Sequence, residues 1–303
     1  MNSRLLALVG AAVLILGAVL LMVSGTDAPA LRSHQYTPPA ELAAIDPEAD
    51  APQATDAHAD DLPADDLPVP PFPPRIADGE QYDRCMTMIT DDPQGAEAIA
   101  TSWQTTGGGE GAIHCQALAS IAAGKPEVGA QLLEDLVHGG KVQGLARAVL
   151  LGQAAEARLM VEQAEPALHD TTEALVFRPD DTDLLISRAN ANDTLDRAND
   201  AVDDLTHALQ LDPSRGDALV LRASLRRRMD QLDEARSDIS RALALDPEDA
   251  EALLERGILR QETGDLVGAR QDWTHAQTAD PNSEAAELSA QNLALLDAGP
   301  AQK

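Results

Sequence analysis

The sequence predicts an all-α protein, a solenoid of helix–turn–helix units, and three observations carry that expectation. Pro179, Pro213, Pro247 and Pro281 recur at a constant interval of 34, in the phrases VFRPDD, QLDPSR, ALDPED and TADPNS. Apolar residues keep register with them: Ala174, Ala208, Ala242 and Ala276 stand five before each proline, and Ala167, Ala201, Ala235 and Ala269 twelve before. Ala155, Ala189, Ala223 and Gly257 stand twenty-four before, and Leu151, Leu185, Leu219 and Leu253 twenty-eight before. Small residues at fixed helical positions let helices approach closely, and a fixed period of this length marks stacked supersecondary units. Composition agrees: 44% of the 303 residues are hydrophobic, yet Phe, Tyr and Trp number two each. The core is therefore aliphatic, and its commonest members, Ala and Leu, are strong helix formers.

The elements follow in chain order. MNSRLLALVGAAVLILGAVLLMV carries one cation, Arg4, then 19 uncharged residues from Leu5 to Val23. At about 1.5 Å rise each these nearly match a hydrocarbon core of about 30 Å. Residues 1–26 thus read as a signal anchor with Arg4 cytoplasmic, which places the rest of the chain outside the cytoplasm. In a Gram-negative cell that is a single-pass inner-membrane protein with its C-terminal part in the periplasm. The alternative is a signal peptide cleaved after Ala30, where DAPA offers an A-x-A-like site, leaving a soluble periplasmic protein. Residues 27–78, rich in Pro, Asp and Ala, read as a disordered acidic linker, because prolines remove donors and like charges swell the chain. Within it PVPPFPP is a stiff spacer before it is a polyproline ligand.

Residues 79–147 show four short helical stretches without the proline register, and read as two degenerate helical-hairpin units. Four regular units follow over 148–283, namely 148–181, 182–215, 216–249 and 250–283. In the third of them DALVLRASLRRRM is the first helix, DQ the turn and LDEARSDISRALAL the second helix, with the proline placed after it. Residues 284–298 form a last amphipathic helix, suited to cap the open apolar end of a solenoid.

On these registers the stretch 148–281 resembles the tetratricopeptide-repeat (TPR) family. The resemblance implies a right-handed superhelix whose first helices line an inner, concave wall that receives extended peptides. Two departures stand out. The aromatic residues of the family are mostly missing, with Trp273 in the place held by Leu205 and Ile239, and AAEARLMVEQAEP fits loosely. By resemblance and helical phase, the groove candidates are Asp183, Ile186 and Asn190, then Val220, Ser224 and Arg227, then Leu254, Ile258 and Gln261. Arg227 sits in the densest basic cluster, Arg226–Arg228.

Arg188, Arg222 and Arg256 precede Asp204, Asp238 and Asp272 at a constant spacing of 16, which favours braces between helices over a ladder gripping a ligand carboxylate. Cys85 and Cys115, the two cysteines, fall in first helices of consecutive units and suggest a structural disulfide in an oxidising compartment. His114 beside Cys115 does not make a nucleophile pair, since adjacent helical residues point about 100° apart. The histidines have no metal-ligand spacing, and Gly107–Gly109 lacks the context of a phosphate loop. No catalytic set, metal or cofactor is expected. A net charge of −29 argues against nucleic acid and anionic lipid surfaces. The function expected is a non-enzymatic scaffold for a protein or peptide, in cell-envelope assembly or cytochrome maturation. A hydrolase or isomerase with a site in 79–145, and a self-associating structural element, are the alternatives.

Overall fold

The computed structural model describes residues 75–139 and 141–299. Among them are thirteen α-helices and no strand. They are α1 (Glu80–Asp91), α2 (Pro93–Thr105), α3 (Gly109–Ala122), α4 (Pro126–His138), α5 (Gly144–Leu159), α6 (Ala164–Phe177) and α7 (Thr182–Thr194). There follow α8 (Ala198–Leu211), α9 (Gly216–Arg228), α10 (Leu232–Leu245), α11 (Ala250–Glu262), α12 (Leu266–Ala279) and α13 (Glu284–Ala298). The helices pack as successive hairpins from α1/α2 to α11/α12, and α13 closes the C-terminal end against α11 and α12. First helices also touch the next first helices, as α1–α3, α5–α7 and α9–α11 do, while second helices make no comparable contact with one another. The first helices therefore line the inner side.

The expected signal anchor and all but the last residues of the expected linker lie outside the described residues. No described helix is long and apolar enough to cross a membrane. The packed part reaches further back than the linker boundary at residue 78. Ile76 lies half-buried against the core, and Ala77 stands close against Gly111 of α3.

Every regular unit turns in the same way. After each first helix one residue takes a left-handed conformation: Glu162 (φ 59°), Asp196 (58°), Asp230 (61°) and Gly264 (89°). The following N–H then reaches back five residues, from Gln163 to Arg158 (2.9 Å) and from Arg197, Gln231 and Asp265 to Asn192, Arg226 and Arg260 (each 2.8 Å). This closure satisfies carbonyls that the helix end leaves open. Gly124 (φ 78°) does the same after α3, but it lies 38 before Glu162, whereas the later turns lie 34 apart. An extra helical turn, residues 144–147 at the start of α5, shifts the phase, which is why the upstream hairpins fall out of the sequence register. The same shift starts α5 at Gly144, ahead of the unit boundary drawn at 148.

One apolar cluster runs from Ala117 to Ala285 and takes in the Leu151, Leu185, Leu219 and Leu253 register. A second, smaller cluster at the N-terminal end consists of Cys85, Ala96, Ala100, Cys115 and Ala119. Trp273 is fully buried in the Leu205/Ile239 position, and its indole N–H donates to the Leu254 carbonyl at 3.2 Å. Gly257 replaces the alanine of its register because a Cβ there would overlap the indole.

Candidate functional site

Ion pairs on buried carboxylates lock the two layers of the second, third and fourth regular units. Arg188–Asp204 (2.6 Å), Arg222–Asp238 (2.7 Å) and Arg256–Asp272 (2.7 Å) join α7 to α8, α9 to α10 and α11 to α12. These arginines are braces. Sequence reasoning missed a second donor to the same carboxylates: Arg226 and Arg260 reach Asp238 and Asp272 at 2.7 Å, and Asn192 reaches Asp204 at 3.4 Å. The signal was present, since Arg158, Asn192, Arg226 and Arg260 also stand 34 apart. In the first regular unit Ala154 occupies the brace position, so Asp170 depends on Arg158, which Glu134 shares at 2.6 Å. Burial outweighs Arg158 there and pushes the Asp170 carboxyl up to about 6.

The groove candidates all lie on the inner helices α7, α9 and α11. Ile186 and Val220 are buried and Leu254 is half-buried, which makes them floor rather than contact surface. Asn190, Ser224 and Ile258 are half-buried in one register, and the Asn190 and Ser224 side chains have no hydrogen-bond partner among the described residues. Asp183 and Gln261 are exposed. Arg227 departs from the expectation. Its guanidinium is held by Glu255 at 2.9 Å and Glu262 at 3.0 Å, both from α11. Arg226 is committed to Asp238 and Arg228 to Asp193. Neighbouring carboxylates thus consume the whole basic cluster.

What the wall leaves open is acidic. Asp183, Asp217 and Glu251 share a register in the first turns of α7, α9 and α11. Just before them lies the cap register. Asp181 accepts from the Asp183 and Leu184 N–H groups at 3.0 and 3.1 Å, and Asp249 caps α11 in the same way at 3.0 Å. At the α9 start Arg215 stands instead. It makes no cap and reaches Asp183 at 2.6 Å and Asp217 at 2.7 Å, holding Asp217 below the usual carboxylate range. Glu251 has no cation partner among the described residues. Partial desolvation, then Asp249, Glu284 and Asp217, push its carboxyl up. Glu156, one unit upstream of Asn190 in register, is pushed up by partial desolvation and by Asp183 and Asp181. Extending the candidate register back by one unit would have found it.

The two cysteines of the N-terminal hairpins are not free thiols. Cys85 of α1 and Cys115 of α3 are joined as a disulfide, with Cα atoms 6.2 Å apart and both side chains fully buried. His114 is buried, and its Nδ1 lies 2.8 Å from the Tyr82 hydroxyl and its Nε2 2.9 Å from the Gln153 amide oxygen. The oxygen can only accept, so Nε2 donates, and a neutral Nδ1 accepts from Tyr82. Burial lowers the His114 pKa.

No protein-family model matches the chain, and no curated protein matches it. Solved structures do. The thermophilic TPR protein TTC0263 of Thermus thermophilus is 18% identical, with a TM-score of 0.52 over 61% of this chain and 100% of its own. PilF of Pseudomonas aeruginosa is 13% identical, with a TM-score of 0.56 over 70% of this chain and 96% of its own. A chain of the Cut9–Hcn1 hetero-tetramer of the APC/C is 11% identical, with a TM-score of 0.58 over 70% of this chain and 42% of its own. At these identities the likeness is one of fold.

Proposed function

We propose that this chain, a tetratricopeptide-repeat solenoid in its described residues, is a non-enzymatic scaffold that receives an extended, cationic segment of another protein along its inner wall. One observation supports the reading: the cations of the Arg226–Arg228 cluster are consumed by neighbours, while Glu156 and Glu251, exposed in the registers of the candidate groove residues, have no cation partner among the described residues. Asn190 and Ser224 supply free polar groups beside them, and Ile186, Val220 and Leu254 an apolar floor. Peptide N–H and C=O groups need such partners, and the carboxylates favour Lys or Arg at intervals along the segment. The apolar stretch Leu5–Val23 supports tethering to the inner membrane with the solenoid in the periplasm, where a tether raises the local concentration of membrane-proximal partners.

A photo-crosslinking residue at Ser224, on the inner wall, and another at exposed Ser240, on α10, test this in the full-length protein in its own membranes. Adducts at Ser224, weakened by Glu251→Gln and by salt, are the expected outcome. Adducts at Ser240 alone would overturn the groove reading.

A further inference from the structure

The N-terminal hairpin is attached differently from every other unit. The continuous core that joins α3 to α13 runs from Ala117 to Ala285 and contains fully buried Leu133, Leu150, Leu219 and Ile239. The cluster joining α1 and α2 to α3 is separate: three alanines and the two bridged cysteines, beside which the Tyr82 and Trp103 rings lie against Gly111 of α3. No large aliphatic side chain of α1 or α2 is fully buried; Met86, Met88, Ile89 and Ile99 only flank the cluster. Burial stabilises in proportion to apolar area, and alanines bring little of it. The polar links are few as well: Tyr82 to His114, Gln104 to Gln116, and Glu97 to Ser120 and Lys125.

We propose that the Cys85–Cys115 disulfide is a redox lock on the α1/α2 hairpin, which undocks as a unit when the bond is reduced while α3–α13 stay folded. The reductant is a dithiol, small or protein-borne. Its thiolate attacks one sulfur, the Cys–Cys bond breaks, and the other cysteine leaves as thiolate and takes up a proton. The second thiol of the reductant then resolves the mixed disulfide, leaving two cysteine thiols and an oxidised dithiol. Because both sulfurs are fully buried, attack needs a prior local opening of the hairpin. Undocking uncovers the α3 face bearing Ala112, Ala119 and His114, an open solenoid end that α1 and α2 otherwise cover. The lock thus sets whether that end is closed or available.

Amide hydrogen exchange on the full-length protein, oxidised and after dithiothreitol, tests the lock. Reduction should lower protection across residues 80–105 on the order of a hundred-fold, the scale of removing one disulfide, and leave α5–α12 unchanged. Unchanged protection in α1 and α2 would show that the hairpin docks without the bond. Loss spreading through α12 would show that the bond staples the whole fold rather than one hairpin. Either result overturns the proposal. The double variant Cys85→Ala, Cys115→Ala should match the reduced protein and ignore dithiothreitol; protection matching the oxidised protein would count against the lock.

Discussion

Gly257 and Trp273 are a matched pair, and changing either alone has a calculable cost. Gly257→Ala drives a methyl into the indole and should destabilise by about 1–3 kcal/mol, the usual penalty for overpacking. Combining it with Trp273→Leu restores the alanine-and-leucine pairing of the Ala189/Leu205 unit. Urea melts should therefore show the double variant more stable than the sum of the two single effects predicts. Additive losses would mean that the two side chains do not compete for the same space. A second prediction concerns His114. Its folded pKa lies below the ordinary value because the ring is buried, so the unfolded chain binds the proton more readily. Its contribution is complete above the ordinary histidine value of about 6.5 and is lost as pH falls through and below it. The wild-type Tm should drop on acidification in that window more steeply than that of His114→Gln. Parallel curves would dismiss the effect. Asp170 works in the opposite sense, since its raised carboxyl contributes less as pH rises through about 6, which makes the paired variant the proper reference.

At the scale of helices and turns, the left-handed register is the informative one. Glu162, Asp196 and Asp230 accept a conformation that favours glycine, and Gly264 shows the unstrained choice at the fourth turn. Asp230→Gly should raise stability by up to about 1 kcal/mol, and Gly264→Ala should lower it by about the same, as measured by denaturant midpoints. No change in either would show that the turn is not strained. The helix α10 ends where the sequence places it, because Asp246 and Pro247 follow and a proline cannot continue the helix. The upstream hairpins were legible as helices but not as register, because α5 carries one extra turn at its start. The groove positions were read from the family resemblance together with helical phase, and all nine fall on α7, α9 and α11. Their chemistry was not legible, since a row of arginines looks free until the carboxylates beside it are known. Arg227 is one-dimensionally a basic residue and three-dimensionally half of a closed pair with Glu255.

Among the described residues, ion pairs between units span a wider range of exposure than the braces within them, from sheltered Arg227–Glu255 to open surface pairs. The brace carboxylates are buried, and Asp238 and Asp272 are nearly inaccessible. Several links between units have an exposed partner: Arg197–Glu165, Arg215–Asp183, Arg228–Asp193 and Arg270–Asp297. Salt screens exposed pairs, with a Debye length of about 10 Å at 0.1 M and about 3 Å at 1 M, and leaves buried ones largely intact. Small-angle scattering of the full-length protein should therefore show changed dimensions at high salt, while the helical circular dichroism stays constant. A profile that ignores salt would assign the inter-unit geometry to apolar packing alone.

The extra helical turn at the start of α5 has a consequence for reading the chain as a repeat. From Glu162 onward the turns recur like words of one length, and the step from Gly124 is four residues longer. A search in steps of 34 that is in phase with α5, α7, α9 and α11 is four residues off at α3. The number of units legible in one frame is therefore set at that joint rather than by the number of hairpins the chain builds.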